Sequence, residues 1–226
     1  MPKALIVWGG WEGHRPAEQA DIVGALLREE GFDTILTGDY GALGDNKIES
    51  MDLVVPIITN DEIDDQIVKR LVAAVRAGTG LAGAHAALAT SFRRSVAFNY
   101  LAGVQWVAHP GDIIDFRVDI TRPDDPIMAG IASFDYHSEQ YYLHYDPSVE
   151  ILATTTFSGA YDAATTGVVM PVVFKRRFGK GRVFYSALGH APAEFEHPQA
   201  RAILLRGLLW ATRRITEEIQ NDRSLH

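Results

Sequence analysis

"DLVVPIITNDEIDDQIVKRLVAAVRAGTGLAGAHAAL", the stretch from Asp52 to Leu88, contains a strand, a helix and a second strand in direct succession. Its first residues, Asp52 to Ile58, are mostly apolar, as in strands that are covered on both faces. An acidic segment then leads into an amphipathic helix that ends at a glycine. The apolar stripe of this helix consists of Ile63, Ile67, Leu71 and Val75. A short apolar run from Leu81 to Ala84 follows, so the pattern predicts two parallel strands joined by a helix.

The same alternation begins near the N-terminus. Apolar runs at Ala4–Trp8 and Thr34–Leu36 predict two earlier strands. Between them lies a predicted helix, Ala17–Glu30, which Gly31 ends. A further helix is predicted over Ala86–Gly103. From these elements we predict an α/β fold with a doubly wound, mostly parallel central sheet and helices on both faces.

The second half of the chain is richer in strand patterns. The predicted strands there are "VQWVAH", "DIIDFRVDIT", "VEILATTTF", "PVVFKRRF" and "GRVFYSAL". A hairpin turn is predicted at Gly179–Gly181, and a closing helix begins at Pro198. Since no linker or repeat interrupts the pattern, we predict a single domain over residues 1–216 and a polar tail over residues 217–226.

Composition disfavours several classes of function. The 226 residues carry 21 basic and 29 acidic side chains, a formal net charge of −8, which argues against nucleic acid or an anionic membrane as partner. The sequence shows neither an apolar run of membrane-spanning length nor the apolar region of a signal peptide, so we expect a cytoplasmic location. The lack of cysteine rules out a thiolate nucleophile, a thiolate metal ligand and a disulfide.

Four histidines follow predicted strands and enter loops that contain glycine, alanine or proline: His14, His85, His109 and His190. In open parallel sheets, ligands bind at the carboxyl ends of the strands, so we expect these imidazoles at one crevice. The small neighbours of His85 permit a sharp turn between its strand and the following helix. Taken alone, His85 is equally well interpreted as a hydrogen-bonded core histidine.

We expect His14, His85 and His190 to lie close enough to share a ligand. Imidazole binds transition metals, and in a chain without thiolates a site for Zn²⁺, Mn²⁺ or Ni²⁺ uses nitrogen and oxygen ligands. Catalytic histidine clusters without metal are also common, so both alternatives stay open. The absence of HxH and HxxxH spacing means that a single segment does not form a metal site.

Two further segments carry candidate site residues. The loop "WGGWEGHRP" lacks the GxGxxG spacing of phosphate-binding loops, and its Trp11 is suited to contact the apolar face of a sugar. In "FDYHSEQYYLHYD", an extended chain places Glu139 and Tyr141 on one face. A carboxylate between tyrosines suits acid–base chemistry, and packing as an amphipathic surface is the alternative. We predict that Trp11 and Tyr141 line a sugar site rather than the core.

Together these segments resemble the trehalose-utilisation (ThuA-like) family, whose flavodoxin-like fold is related to the class I glutamine amidotransferases. The resemblance covers nearly the whole chain and rests on "WGGWEGHRP", "GLAGAHAAL", "HPGD", "SEQYY" and "FGKGRVFYSALGH". It implies site roles for His14, His85, His109, Glu139, Tyr141 and His190. Amidotransferase relatives carry a cysteine where this chain has His85, so glutamine hydrolysis through a thioester is excluded. Where family members often have His-Pro, this chain has Asp125-Pro126, and we expect Asp125 only to cap a turn.

The resemblance implies a part in disaccharide catabolism, on trehalose-type glucosides or their 3-keto derivatives, with an NAD-dependent sugar oxidoreductase as pathway partner. The chain is then a hydrolase or lyase whose catalytic residues are His85, His190 and Glu139. The implied substrate-binding residues are His14, His109 and Tyr141, and we add Trp11 because its ring suits the apolar face of a sugar. A divalent metal held by His14, His85 and His190 is one option in this interpretation. A non-catalytic sugar-binding or regulatory module is the alternative, and the sequence leaves open whether the chain forms a homo-oligomer.

Overall fold

A computed structural model describes residues 1–213 of the chain. Its strands are β1 (Lys3–Gly10), β2 (Asp33–Thr37), β3 (Leu53–Thr59), β4 (Gly80–Ala84), β5 (Val104–Ala108), β6 (Ile113–Ile120), β7 (Phe134–Glu139), β8 (Tyr142–Tyr145), β9 (Glu150–Thr156), β10 (Val169–Phe178) and β11 (Gly181–Ser186). Its α-helices are α1 (Pro16–Glu29), α2 (Asp65–Ala77), α3 (Ala86–Ala89), α4 (Val96–Ala102) and α5 (Pro198–Ala211). The predicted tail, 217–226, and the last residues of the predicted domain, 214–216, lie outside the described residues.

Nine of these strands form one sheet in the order β2-β1-β3-β4-β11-β10-β9-β6-β7. The neighbours from β2 to β11 are parallel, and the strands beyond β11 pair antiparallel. In this order, the step from β1 to β2 runs toward one edge of the sheet, and the step from β3 to β4 runs toward the opposite edge. With right-handed crossovers, α1 and α2 therefore cover opposite faces of the sheet. The structure therefore confirms the predicted α/β class, and the antiparallel strands account for the strand-rich second half.

The helices follow the predicted sequence signals with two corrections. Helix α2 begins only at Asp65, with the Asp64 carboxylate as its N-cap, so the preceding segment from Asn60 stays in a loop. The helix predicted over 86–103 is two helices, α3 and α4, because the Ser91 hydroxyl bonds the Ile58 carbonyl and buried Phe92 packs into the core. Among the helices of residues 1–213, none is long and apolar enough to span a membrane.

A second, two-stranded sheet pairs β5 with β8 beside the carboxyl edge of the main sheet. Its register places His109, directly after β5, near Tyr141, directly before β8; their ring centroids are 6.3 Å apart. Apolar side chains from both halves of the chain pack into one core cluster. The small sheet thus carries two of the predicted site residues to the carboxyl ends of the parallel strands.

Asp125 does more than the expected turn cap. Its Oδ1 accepts the Ile127 amide N–H at 3.0 Å, as a cap does, and its Oδ2 forms a short ion pair with Lys175. Both side chains are nearly buried, so each charge depends on the other for compensation. Asp125 is therefore a structural residue that ties its loop to β10, and it lies outside the cavity described below.

Gly10 determines how closely β1 approaches β3 at the carboxyl edge of the sheet. It has φ +79°, and a Cβ there would lie 2.1 Å from the Thr59 carbonyl oxygen. The same Thr59 carries the hydroxyl that bonds His14. Gly10 thus joins the packing of the sheet to the position of a candidate site residue.

We expect Gly10→Ala to lower the free energy of unfolding by roughly 3 kcal/mol, because a left-handed backbone and a backbone clash act together. Gly31→Ala is the matched control: Gly31 also has positive φ, but its Cβ would meet nothing within 4 Å among the described residues. The control should lose only about 1 kcal/mol. Urea denaturation of both variants measures the difference, and equal losses would contradict the argued clash.

Candidate functional site

His85 occupies a strained turn between β4 and α3. Its backbone has φ 53° and ψ −117°, a conformation that costs free energy for a residue with a side chain. Three hydrogen bonds hold it: its N–H donates to the Ser186 carbonyl at 2.6 Å, its carbonyl accepts from the Tyr185 hydroxyl at 2.9 Å, and its Nδ1 lies 3.0 Å from the Ala187 carbonyl. The geometry resembles a nucleophile elbow, in which backbone strain presents one side chain at the end of a strand.

The ring of His85 lies at the centre of a cluster with Glu139, Tyr141 and His190. Its Nε2 is 3.0 Å from Glu139 Oε2, 2.6 Å from the Tyr141 hydroxyl and 3.3 Å from His190 Nδ1. His190 Nδ1 is in turn 3.4 Å from Glu139 Oε2. The structure therefore brings together the three residues predicted to be catalytic, although they come from β4, β7 and the loop after β11.

His14 completes the cluster from the loop after β1. A single turn of 3-10 helix, Glu12–His14, ends at it, and the imidazole is buried. Its ring lies 5.0 Å from that of His85 and 4.8 Å from that of His190. Its Nδ1 bonds the Thr59 hydroxyl at 2.8 Å, which fixes the orientation of the ring. The expected approach of His14, His85 and His190 is thus present in the structure.

Burial and mutual contact shift the pKa values of the cluster. Burial and the neighbouring imidazoles lower the pKa of His14 to about 3. Burial alone would raise the pKa of Glu139, but hydrogen bonds to His190 and His85 outweigh it and hold this pKa below its usual value. The hydrogen bond to Glu139 raises the pKa of His190 above its ordinary value, against the effect of burial. At neutral pH the site thus combines a neutral His14 with an ionised Glu139.

His14, Glu139, Tyr141 and His190 form the floor of an open cavity of about 380 Å³, and His85 is buried beside them. Its walls also include Trp11, Asn60, Trp106, His109, Asp112 and Ile113. The volume suits a small molecule, and apolar surface alternates with polar groups along the walls. Such a mixture fits a ligand that combines an apolar face with many hydroxyl groups.

The remaining predicted residues occupy different depths of this cavity. Trp11 is 56% exposed at the mouth, and its ring meets that of His14 edge to face. His109 Nε2 lies 3.8 Å from Glu139 Oε1, on the cavity side of the cluster. Tyr141 is only 4% exposed and packs in the core, but its hydroxyl reaches His85. Trp11 therefore matches the prediction of a cavity residue, whereas Tyr141 belongs to both the core and the site.

Other histidines in suggestive segments lie outside the cluster. His137 is exposed on β7 and pairs with Asp115 at 2.7 Å. His144 is exposed on β8, and His197 caps the start of α5. Their positions fit the surface and capping roles that polar residues at strands and helix ends commonly have.

Sequence patterns missed several residues that support the site. Glu194 is the most connected: its carboxylate accepts from the Tyr136 and Ser138 hydroxyls, both at 2.9 Å, and from the His190 amide N–H at 3.0 Å. It thereby joins the strand that carries Glu139 to the loop that carries His190. Only the segment "GHAPAEF" hinted at it, since an acidic residue shortly after a glycine-containing loop can accept from that loop's amides.

Backbone strain concentrates at this edge of the sheet. Within residues 1–213, the non-glycine residues with positive φ are Arg15, Asn60, His85 and Asp112. Each lies in the cavity wall or directly beside a residue of it. Strain of this kind persists where the surrounding structure imposes it, and it clusters at ligand-binding and active sites.

The fold and the site define a doubly wound α/β protein with a histidine–glutamate cluster at the switch in strand order. The chain belongs to the ThuA family: a family model described as "Trehalose utilisation" matches residues 3–211. This membership gives the chain a carbohydrate-related role. Comparison with curated proteins gave no match.

Solved structures show the same fold. ThuA-like proteins from Parabacteroides merdae and Bacteroides uniformis match with TM-scores of 0.76 and 0.75 at 19% and 18% identity. Each match covers 93% of this chain, and they cover 90% and 91% of those chains respectively. A β-galactosidase from Bacillus circulans sp. alkalophilus matches with a TM-score of 0.57 and 15% identity, over 93% of this chain and 30% of its own. At these identities the likeness concerns the fold alone.

We expect Glu194→Gln to lower the free energy of unfolding by about 1–3 kcal/mol, because a neutral amide oxygen replaces the carboxylate oxygen Oε2 that accepts from Tyr136, Ser138 and His190, and hydrogen bonds to charged groups are the stronger ones. Glu196→Gln, at an exposed position two residues away, is the control and should change stability by less than about 0.5 kcal/mol. Chemical denaturation checks both. Equal stability of the two variants would show that Glu194 does not hold the loop.

Proposed function

We propose that this protein is an enzyme of carbohydrate catabolism that acts on a disaccharide or glucoside, or on its 3-keto derivative. One observation carries the proposal: Glu139 and His190 line the floor of a sugar-sized cavity, and buried His85 lies 3.0 Å and 3.3 Å from them. Family membership supports the carbohydrate class of the substrate. The chain has no cysteine, so the chemistry differs from that of the cysteine-dependent amidotransferases.

The cavity walls suit a sugar. Exposed Trp11 and half-buried Trp106 present aromatic surface on which the C–H face of a pyranose ring can pack. Asn60, His109 and Asp112 add polar groups at the same depth, which can bond hydroxyls. The buried cluster then lies beneath the ring, where the reacting carbons would be.

A 3-keto sugar makes cleavage of the glycosidic bond accessible to such groups. The ketone acidifies the C–H at C2, and a base can remove that proton. The electron pair then forms a C1–C2 double bond while the C1–O bond breaks, and the departing oxygen takes up a proton. Imidazole and carboxylate groups can serve this reaction either as proton carriers or as ligands of a cation that polarises the ketone. An oxidoreductase that uses NAD would supply the ketone.

A non-catalytic sugar-binding module is the competing function. Trp11 and the cavity walls would serve such a module equally well. The buried cluster favours catalysis, because a binding module has little need for five ionisable or phenolic groups packed together and for a strained backbone at His85. Turnover separates the two functions directly.

We expect His85→Asn to lower turnover of a 3-keto-disaccharide by roughly 100-fold or more, since the position loses Nε2. Asparagine tolerates positive φ, and its amide can replace the Nδ1 contact with Ala187, so folding should be retained. His144→Asn, at an exposed site on β8, is the matched control. Release of the second sugar, followed by chromatography, measures the rate. Wild-type turnover in His85→Asn, or a covalent sugar adduct on His85 in mass spectra, would contradict this role.

Trp11→Ala should weaken binding of the sugar about tenfold, because the packing surface at the cavity mouth is lost. Stability should change little, since Trp11 is 56% exposed. Tyr100→Ala removes an aromatic ring of similar exposure, 57%, that packs instead against Phe178, and should leave binding unchanged. Calorimetric titration with a disaccharide measures both. Equal affinities in the two variants would remove Trp11 from the sugar site.

A further inference from the structure

We infer that His85 Nε2, His190 Nδ1 and Glu139 Oε2 form one face of the coordination shell of a divalent transition-metal ion, with His14 as the fourth ligand. All four residues offer a ligand atom, and these atoms lie within 4.8 Å of one another. The ligand set differs from the three histidines predicted by sequence, because the structure adds a carboxylate. Three independent features support the centre: the orientation of the rings, the spacing of the atoms and the balance of charge.

The hydrogen bonds on the far side of the rings orient them. A backbone carbonyl can only accept, so His85 Nδ1, 3.0 Å from the Ala187 carbonyl, carries a proton, and Nε2 is the nitrogen available to a ligand in the neutral ring. The Thr59 hydroxyl engages His14 Nδ1 at 2.8 Å and can donate or accept, so this contact orients the ring and leaves its tautomer open. Metal-binding histidines typically have such a partner on the other ring nitrogen, because it orients the ring and fixes the tautomer.

The spacing of the three closest atoms fits a single ion. Their separations are 3.0, 3.3 and 3.4 Å. With metal–ligand bonds of about 2.1 Å, adjacent ligand atoms are about 3.4 Å apart in a tetrahedral shell and about 3.0 Å apart in an octahedral one. The observed triangle therefore spans the range for both shells. The longest separation in the set of four, up to 4.8 Å, involves His14, so the His14 ring must move closer to join the shell.

Charge balance is also compatible with a cation at this point. Glu139 Oε2 lies 3.0 Å from His85 Nε2 and 3.4 Å from His190 Nδ1, so its negative charge is compensated by a proton on one of these imidazoles or by a divalent ion between the three atoms. A proton serves one such pair at a time, whereas a divalent ion between the atoms serves both. The Tyr141 hydroxyl lies 2.6 Å from Nε2 and also interacts with Glu139.

The donor set points to a class of ion. Imidazoles with one carboxylate and no thiolate suit Zn²⁺, Mn²⁺, Ni²⁺ or Co²⁺ rather than Ca²⁺ or Cu⁺. A six-coordinate ion would keep two positions open toward the cavity. On the proposed function, these positions fit the ketone oxygen and an adjacent hydroxyl of a 3-keto sugar, and His109, next to the cluster but not among the four ligands, is the imidazole left to carry a proton.

The test is metal binding by the full chain after dialysis against a chelator. Calorimetric titration with Zn²⁺, Mn²⁺ and Ni²⁺ should show one high-affinity equivalent per chain for at least one ion, and Co²⁺ should develop a ligand-field absorption band. Glu139→Gln, which keeps the shape of the side chain, should weaken binding on the order of 100-fold. Thr59→Val, which removes the hydroxyl that bonds His14 Nδ1, should weaken it roughly 10-fold or more.

His137→Ala is the matched control, since His137 lies on the same strand as Glu139 but is exposed and pairs with Asp115. It should bind metal like the wild type, and circular dichroism should show that every variant is folded. Substoichiometric binding by the wild type, or equal affinity in folded Glu139→Gln and His137→Ala, would overturn the centre. A protein that binds metal but does not turn over a keto-sugar keeps the centre and loses the proposed function. A protein that turns over a keto-sugar but binds no stoichiometric metal loses the centre and keeps the proposed function.

Discussion

The hydrogen bond from the His85 amide N–H to the Ser186 carbonyl, at 2.6 Å, is the contact on which the rest of the site depends. It exists because β4 and β11 are parallel neighbours whose ends are in register, Ala84 beside Ser186. Parallel pairing brings the loops after both strands to the same edge, and those loops carry His85 and His190. The strained backbone of His85 is tolerated because Ser186, Ala187 and Tyr185 together hold it.

The cluster places groups that repel one another or lose hydration in close contact, so it is costly for the folded state. The surrounding structure offsets this cost through hydrogen-bond partners: Thr59 for His14, Ala187 for His85 and Glu194 for the loop of His190. Supporting hydrogen bonds of this kind are characteristic of sites whose function depends on the orientation of their side chains. It also explains why the strain and the shifted pKa values occur together at one edge of the sheet.

The same fold occurs in proteins as different as ThuA-like proteins and part of a β-galactosidase. The sheet and its helices therefore do not determine the chemistry. The chemistry of this chain depends instead on the content of the carboxyl edge: an imidazole at the strained turn, a carboxylate delivered by an antiparallel strand, and aromatic residues at the cavity mouth. The antiparallel extension matters here because it brings Glu139 across to strands β4 and β11.

The sequence by itself determined the α/β class, the parallel strands and the choice of His14, His85, His190 and Glu139 as site residues. Apolar periodicity and glycine-rich strand ends are local signals, and local signals survive in a one-dimensional pattern. The tertiary structure alone decided that Glu139 lies 3.0 Å from His85, that Tyr141 belongs to the core as well as the site, and that Glu194 holds the loop of His190. These facts depend on contacts between residues 54 to 56 positions apart, or on a carboxylate that bridges two separate segments. Such contacts are fixed by strand register and packing, which leave no trace in the spacing of residues along the chain.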